Sequence, residues 1–121
     1  MTKTVLTVDD SPSIRRMIAM TLQEAGYAVI EAVDGQDGLS KALAQKVDAI
    51  ITDQNMPNLD GLGFIRALRQ HPQGKGIPIV VLSTDSEEGL KTQAREAGAL
   101  GWMVKPFSQD KLLAVMRKVL G

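Results

Sequence analysis

The 121-residue chain contains no cysteine, which excludes disulfides, thiolate metal sites and thiol nucleophiles and agrees with a reducing compartment. Aromatic side chains are scarce. Tyr27, Phe64, Trp102 and Phe107 are all there are, so a site that stacks a flavin has little to draw on. Net charge is absent too: Lys plus Arg and Asp plus Glu each number 14, and no overall field draws the chain to nucleic acid or an anionic membrane. No apolar run approaches the ~18 residues of a membrane span, and the first one meets Asp9-Asp10 too soon for a signal peptide. The expectation is a cytoplasmic protein of one domain, residues 1–121, with neither nucleic acid nor membrane as partner.

What is present centres on one stretch, Ile50-Ile51-Thr52-Asp53-Gln54-Asn55-Met56-Pro57-Asn58-Leu59-Asp60-Gly61. An apolar run of strand character ends in a carboxylate, and residues of turn chemistry follow. The chain around it alternates. A strand at Val5, Leu6 and Val8 meets Asp9-Asp10-Ser11-Pro12, where Ser11 or Asp10 caps a helix with Pro12 in its first turn. Ile14, Met17, Ile18, Thr21, Leu22 and Ala25 then recur at helical spacing until Gly26. Ala28 to Ala32 reads as a second strand, Asp34-Gly35 opens a helix with Leu39, Ala42 and Leu43 inward, and Ala49 to Thr52 reads as the third strand. Leu62, Ile65 and Leu68 face inward on the third helix. His71-Pro72-Gln73-Gly74-Lys75-Gly76 reads as loop, with His71 solvated rather than catalytic. A fourth strand from Ile77 to Leu82 ends at Ser83-Thr84-Asp85, and a helix carries Leu90, Ala94 and Ala97. Gly101 to Lys105 is the fifth strand, and Ser108 caps a last helix with Leu112, Leu113, Val115, Met116 and Val119 inward.

Strict alternation of five strands and five helices predicts an α/β fold with a parallel sheet covered on both faces. The flavodoxin-like, doubly wound order 2-1-3-4-5 is the natural arrangement. It brings every strand's carboxyl end to one edge, so Asp9, Asp10, Asp53, Ser83 and Lys105 converge there. Each alone has an ordinary reading: a capping acid, a turn acid, a satisfied hydroxyl, a solvated lysine. Together they are a site.

Three carboxylates and one ammonium leave that site near a charge of minus two, a crowding that a cation or protonation must relieve. With no cysteine, and no histidine nearby, Mg²⁺ is the natural ion, since it takes one or two carboxylates plus water and phosphate oxygens. Lys105 and the Ser83 hydroxyl are then placed for the oxygens of a phosphoryl group, and Asp53 stands as the nucleophile that would form an acyl phosphate.

Val8-Asp9-Asp10-Ser11, Asp53-Gln54-Asn55-Met56-Pro57 with Asp60-Gly61, Ser83-Thr84 and Lys105-Pro106-Phe107 together resemble the receiver domain of two-component response regulators, the stand-alone chemotaxis regulators above all. The similarity runs the length of the chain. It implies that Asp53 accepts a phosphoryl group from a histidine kinase phosphohistidine, and that Asp10, Asp53 and the Asn55 backbone carbonyl ligate Mg²⁺. Asp9 would act through a bound water, Lys105 would pair with the phosphoryl group, and Ser83 would report its presence. Asn55 and Thr84 hold positions that tune acyl-phosphate lifetime, and the Lys105-Pro106 bond is expected to be cis. Two residues depart from the commonest pattern: Ser83 replaces a frequent Thr, and Trp102 stands where a Tyr or Phe ring usually switches.

The resemblance further implies output at the fourth helix, fifth strand and fifth helix, with Lys91, Arg95, Trp102 and Lys111. Nothing follows the last helix, so no effector domain is expected, and signal would leave by binding a target, the flagellar motor switch foremost. The expected molecule is a monomeric phosphoacceptor switch rather than an enzyme, with a histidine kinase as donor and in some settings a phosphatase as eraser. Three other readings compete: a Mg²⁺-dependent aspartyl-phosphate phosphatase, a phosphate sink or relay intermediate, and a flavodoxin-like cofactor carrier.

Overall fold

The side chains of β1 (Thr4–Val8) show how the layers are set, because Leu6 and Val8 face one core while Val5 faces the other. This period of two recurs in β3 (Ala49–Asp53), where Ile50 and Ile51 divide the same way, and in β4 (Ile79–Ser83), where Ile79 and Val81 oppose Val80 and Leu82. A strand that must bury both faces needs helices on both sides. The computed structural model describes residues 2–84 and 88–120. On one side lie α1 (Pro12–Glu24) and α5 (Gln109–Leu120), contributing Ile18, Leu22, Leu112 and Met116. On the other lie α2 (Gly35–Ala44), α3 (Gly61–Arg69) and α4 (Glu88–Ala97), contributing Ala42, Leu62, Phe64, Ile65, Leu68 and Ala94. With β2 (Ala28–Ala32) and β5 (Gly101–Val104), the sheet is entirely parallel and has the order β2-β1-β3-β4-β5.

The helix starts follow their capping residues. Ser11, not Asp10, caps α1, with Pro12 at its first position, while Asp34 accepts from the Asp37 amide and Asp60 from the Gly63 amide. Ser108 Oγ accepts from the Lys111 amide, 3.1 Å away, at the start of α5.

Several boundaries differ from expectation. β4 begins at Ile79, because Pro78 has no N–H to donate to a ladder; its carbonyl still accepts from Ile50 N, 2.9 Å away. The strand runs on through Ser83, and β3 runs on through Asp53. β5 stops at Val104, although Lys105 N still donates to Ser83 O at 2.8 Å, and the Lys105-Pro106 peptide is cis. The expected loop at residues 71–76 contains a short 3₁₀ turn, Pro72–Gly74, and His71 beside it is partly exposed. Phe64 is absent from the stripe expected of α3, yet it is wholly buried in the core. That burial withdraws one of the four rings available to stack on a flavin. No helix among the described residues is long and apolar enough to cross a membrane. Asp85, next to the expected end of the fourth strand, lies outside the described residues.

Candidate functional site

The carboxyl edge of the sheet collects acids because β1 and β3 are neighbours that end at the same level, Val8 pairing with Thr52. Asp9, one residue past β1, is buried, with 1% of its surface exposed. All its polar groups are engaged: its N–H donates to Ala32 O at 3.1 Å, its carbonyl accepts from Arg15 Nη1 at 2.7 Å, Oδ1 accepts from Ser11 N at 2.9 Å, and Oδ2 lies 3.4 Å from Lys105 Nζ. Asp10 is exposed, and among the described residues its carboxylate makes no hydrogen bond. Asp53 closes β3 and is buried. Its Oδ1 accepts from the Gln54 amide at 3.0 Å and from Lys105 Nζ at 3.1 Å.

Burial, and after it the neighbouring charge of Asp9, raises the Asp53 carboxyl above its ordinary value, while the Lys105 ammonium and the Gln54 amide pull it back only in part. One lysine is thus too little for this acid. The unmet demand fits a cation: carboxylate oxygens of Asp9, Asp10 and Asp53 all come within 4.8 Å of one another. The donors are all oxygen, which suits a hard divalent ion, and Asp10 is without a competing hydrogen bond.

The convergence of Asp9, Asp10, Asp53 and Lys105 was expected, and the structure brings them together. Ser83 sits fully buried at the end of β4, where it pairs in register with Val104, one residue before Lys105. Thr84 is exposed and lines an apolar cleft of about 290 Å³ with Ile14, Met17, Lys105, Pro106 and Phe107. Asn55 is exposed in the turn two residues beyond Asp53. Of the expected output residues, Lys91, Arg95 and Trp102 share a cleft of about 70 Å³ between α4 and β5. Trp102 is half-buried and packs against the core on the α2, α3 and α4 side. Lys111 does not line that cleft; it is exposed in the first turn of α5.

Three supporting residues were not foreseen. Gln54 is buried, and its Oε1 accepts from the Leu62 amide at 2.9 Å while its carbonyl accepts from Gly61 N at 2.9 Å, which locks the start of α3 to the end of β3. Asn58, the one described non-glycine residue with positive φ, at 69°, donates to Asp34 Oδ2 at 2.8 Å and joins the loop after Asp53 to α2. Arg15 holds the Asp9 carbonyl. In sequence, Gln54 and Asn58 read as turn residues and Arg15 as one more charge on a helix, and only the spatial partner distinguishes them.

The response regulator receiver domain model matches residues 5–117. The chain belongs to that receiver domain family. Receiver domains are phosphoacceptor switches of two-component systems that interact with histidine kinases and downstream targets and bind Mg²⁺ in the acidic pocket. Among solved receiver-type structures, the chemotaxis protein CheY4 of Vibrio cholerae superposes with a TM-score of 0.95 at 44% identity, over 99% of this chain and 100% of that one. The receiver domain of a Pseudomonas aeruginosa sensor histidine kinase, with a magnesium ion coordinated in its active site cleft, superposes with a TM-score of 0.91 at 29% identity, over 100% of this chain and 99% of that one. Among curated receiver-containing relatives, the phosphate regulon transcriptional regulatory protein PhoB of Pseudomonas aeruginosa is 38% identical over 98% of this chain and 52% of its own length. The chain spans about half the length of the first curated relatives it matches.

Proposed function

We propose that Asp53 accepts a phosphoryl group from the phosphohistidine of a sensor kinase and that the charge it gains changes the chain's affinity for a protein target. The observation that carries this reading is the acidic cluster of Asp9, Asp10 and Asp53 with Lys105 3.1 Å from Asp53. A carboxylate oxygen of Asp53 attacks phosphorus, the bond from phosphorus to the donor nitrogen breaks, and its electron pair stays on the imidazole. The product is an acyl phosphate. Burial keeps bulk water from Asp53, and Lys105 can follow the new oxygens because its ammonium already lies between two acids. The Ser83 hydroxyl hydrogen-bonds to the phosphoryl group and reports its arrival, and Asn55 and Thr84 at the rim tune how soon water reaches it.

Asp10, Asp53 and the Asn55 carbonyl would hold Mg²⁺, with Asp9 acting through a water because its own oxygens are already engaged. When bound, the ion offsets the negative charge of the acids and of the incoming phosphoryl group. The phosphoryl group can bias two conformations only through contacts that differ between them. Lys91, Arg95, Trp102 and Lys111 form the surface where that bias is read.

The target we favour is the flagellar motor switch, with the chain working as one monomeric, cytoplasmic receiver domain that processes no external substrate. The support is the 44% identity to a chemotaxis protein across its full length. A second reading, regulation of transcription, is favoured by the 38% identity to PhoB, of which this chain covers about half.

Incubation with a small phosphodonor and Mg²⁺, followed by intact mass, tests the site. Wild type gains one phosphoryl group that mild alkali removes, and Asp53→Asn gains none. Equal labelling of that variant overturns the assignment. A swimming assay on cells carrying Asp53→Asn separates the outputs, since unchanged reversal frequency removes the motor reading.

A further inference from the structure

Asp10 carries an exposed carboxylate that makes no hydrogen bond among the described residues, so no contact of its own orients it and the backbone beneath it limits where its rotamers can point. That backbone is the peptide joining Asp9 to Asp10. Its oxygen accepts from Arg15 Nη1 at 2.7 Å, the shortest of the four contacts that hold Asp9. Arg15 is itself held: its Nε pairs with Glu31 Oε1 at 3.2 Å, and only 15% of its side chain is exposed. Glu31 lies on β2 opposite Thr7 of β1, and its backbone carbonyl accepts from Lys41 Nζ at 2.6 Å. A rigid, forked guanidinium can serve Glu31 and the Asp9 carbonyl together, where an ammonium is a point charge.

We propose that Arg15 is a positioning residue of the acidic site: by fixing the oxygen of the Asp9–Asp10 peptide it aims the Asp10 carboxylate at a bound divalent cation. The proposal rests on the reading of Asp10 as a metal ligand. Its sign is opposite to that of simple electrostatics. Removing a positive charge near an acidic cluster strengthens cation binding, whereas losing the orientation of a ligand weakens it.

Mg²⁺ binding to the full chain, measured by titration calorimetry with no phosphodonor, tests it. Wild type binds and Asp10→Asn loses binding; if instead both bind alike, the metal-site reading itself fails. Given that result, Arg15→Ala weakens Mg²⁺ binding about 10-fold or more, the loss typical of a removed partner of a metal ligand. Arg16→Ala serves as the control, because Arg16 pairs with the same Glu31 at 3.3 Å, is 67% exposed and touches neither acid; its affinity stays at the wild-type value. Unchanged or tighter binding by a folded Arg15→Ala protein overturns the proposal. Should that variant not fold, Arg15→Gln, which keeps part of the stem, decides in the same way: weaker binding sustains the proposal, and wild-type binding overturns it.

Discussion

Lys105 and Asp53 stand 52 positions apart in the chain, and their Nζ and Oδ1 atoms lie 3.1 Å apart in the fold. The same ammonium lies 3.4 Å from Asp9 Oδ2. Replacing Lys105 by Met therefore leaves two buried acids facing each other with no intervening cation. Metal-free Lys105→Met is expected to lose about 1–3 kcal/mol in urea unfolding, the cost of buried acceptors left without their donor, and its labelling by a small phosphodonor should slow at least tenfold. Labelling at the wild-type rate would remove Lys105 from the phosphoryl site.

Asp53 gives a pH prediction of known sign. Its folded carboxyl titrates above its ordinary value of 3.8, chiefly through burial, so the native state binds this proton more tightly than the unfolded chain does. The contribution is fully present below 3.8 and is lost as pH rises through the raised folded value. At neutral pH the metal-free wild type bears the cost of the charge, and Asp53→Asn does not. The variant is expected to be more stable at pH 7, with the gap closing toward pH 4. Urea midpoints in the presence of a chelator at the two pH values check this.

Metal addition and removal form a third test. A ligand that binds only the native state stabilises by RT ln(1 + [L]/Kd), about 2.7 kcal/mol at 100 times Kd. The melting temperature should rise with Mg²⁺ and return on adding EDTA. Asp10→Asn should not respond.

Gly61 probes the seat of the loop. A Cβ there would come 2.5 Å from the Asp53 carbonyl oxygen and 2.9 Å from Gln54 Oε1. Backbone cannot rotate aside as a side chain can. Gly61→Ala is expected to cost about 1–3 kcal/mol despite alanine's better helix propensity, and to slow labelling of Asp53 because the displaced atom belongs to that residue. Circular dichroism melts and intact mass read the two effects.

The strand and helix order was legible because burial imposes different periods on the two kinds of element. Leu6 and Val8 opposed to Val5, and Ile14, Ile18 and Leu22 along α1, carry those periods in local sequence. The acids and the lysine were legible for a different reason: a parallel topology puts all strand ends on one edge, so position at a strand end was enough. Boundaries were harder. Pro78 leaves the apolar pattern of β4 intact while removing its donor, and Pro72–Gly74 turns within a segment whose composition says only loop.

The chain by itself determined the fold class and which four charged groups meet, since hydrophobic period and topology are properties of local order. Tertiary structure alone decided how those groups are held. It made Asp53 share Lys105 with Asp9, gave the Asp9 carbonyl to Arg15, and used Gln54 and Asn58 to fasten the loop beyond Asp53. The partners in those contacts lie from 6 to 96 positions away along the chain, and hydrogen-bond direction over a few ångströms leaves no trace in residue spacing.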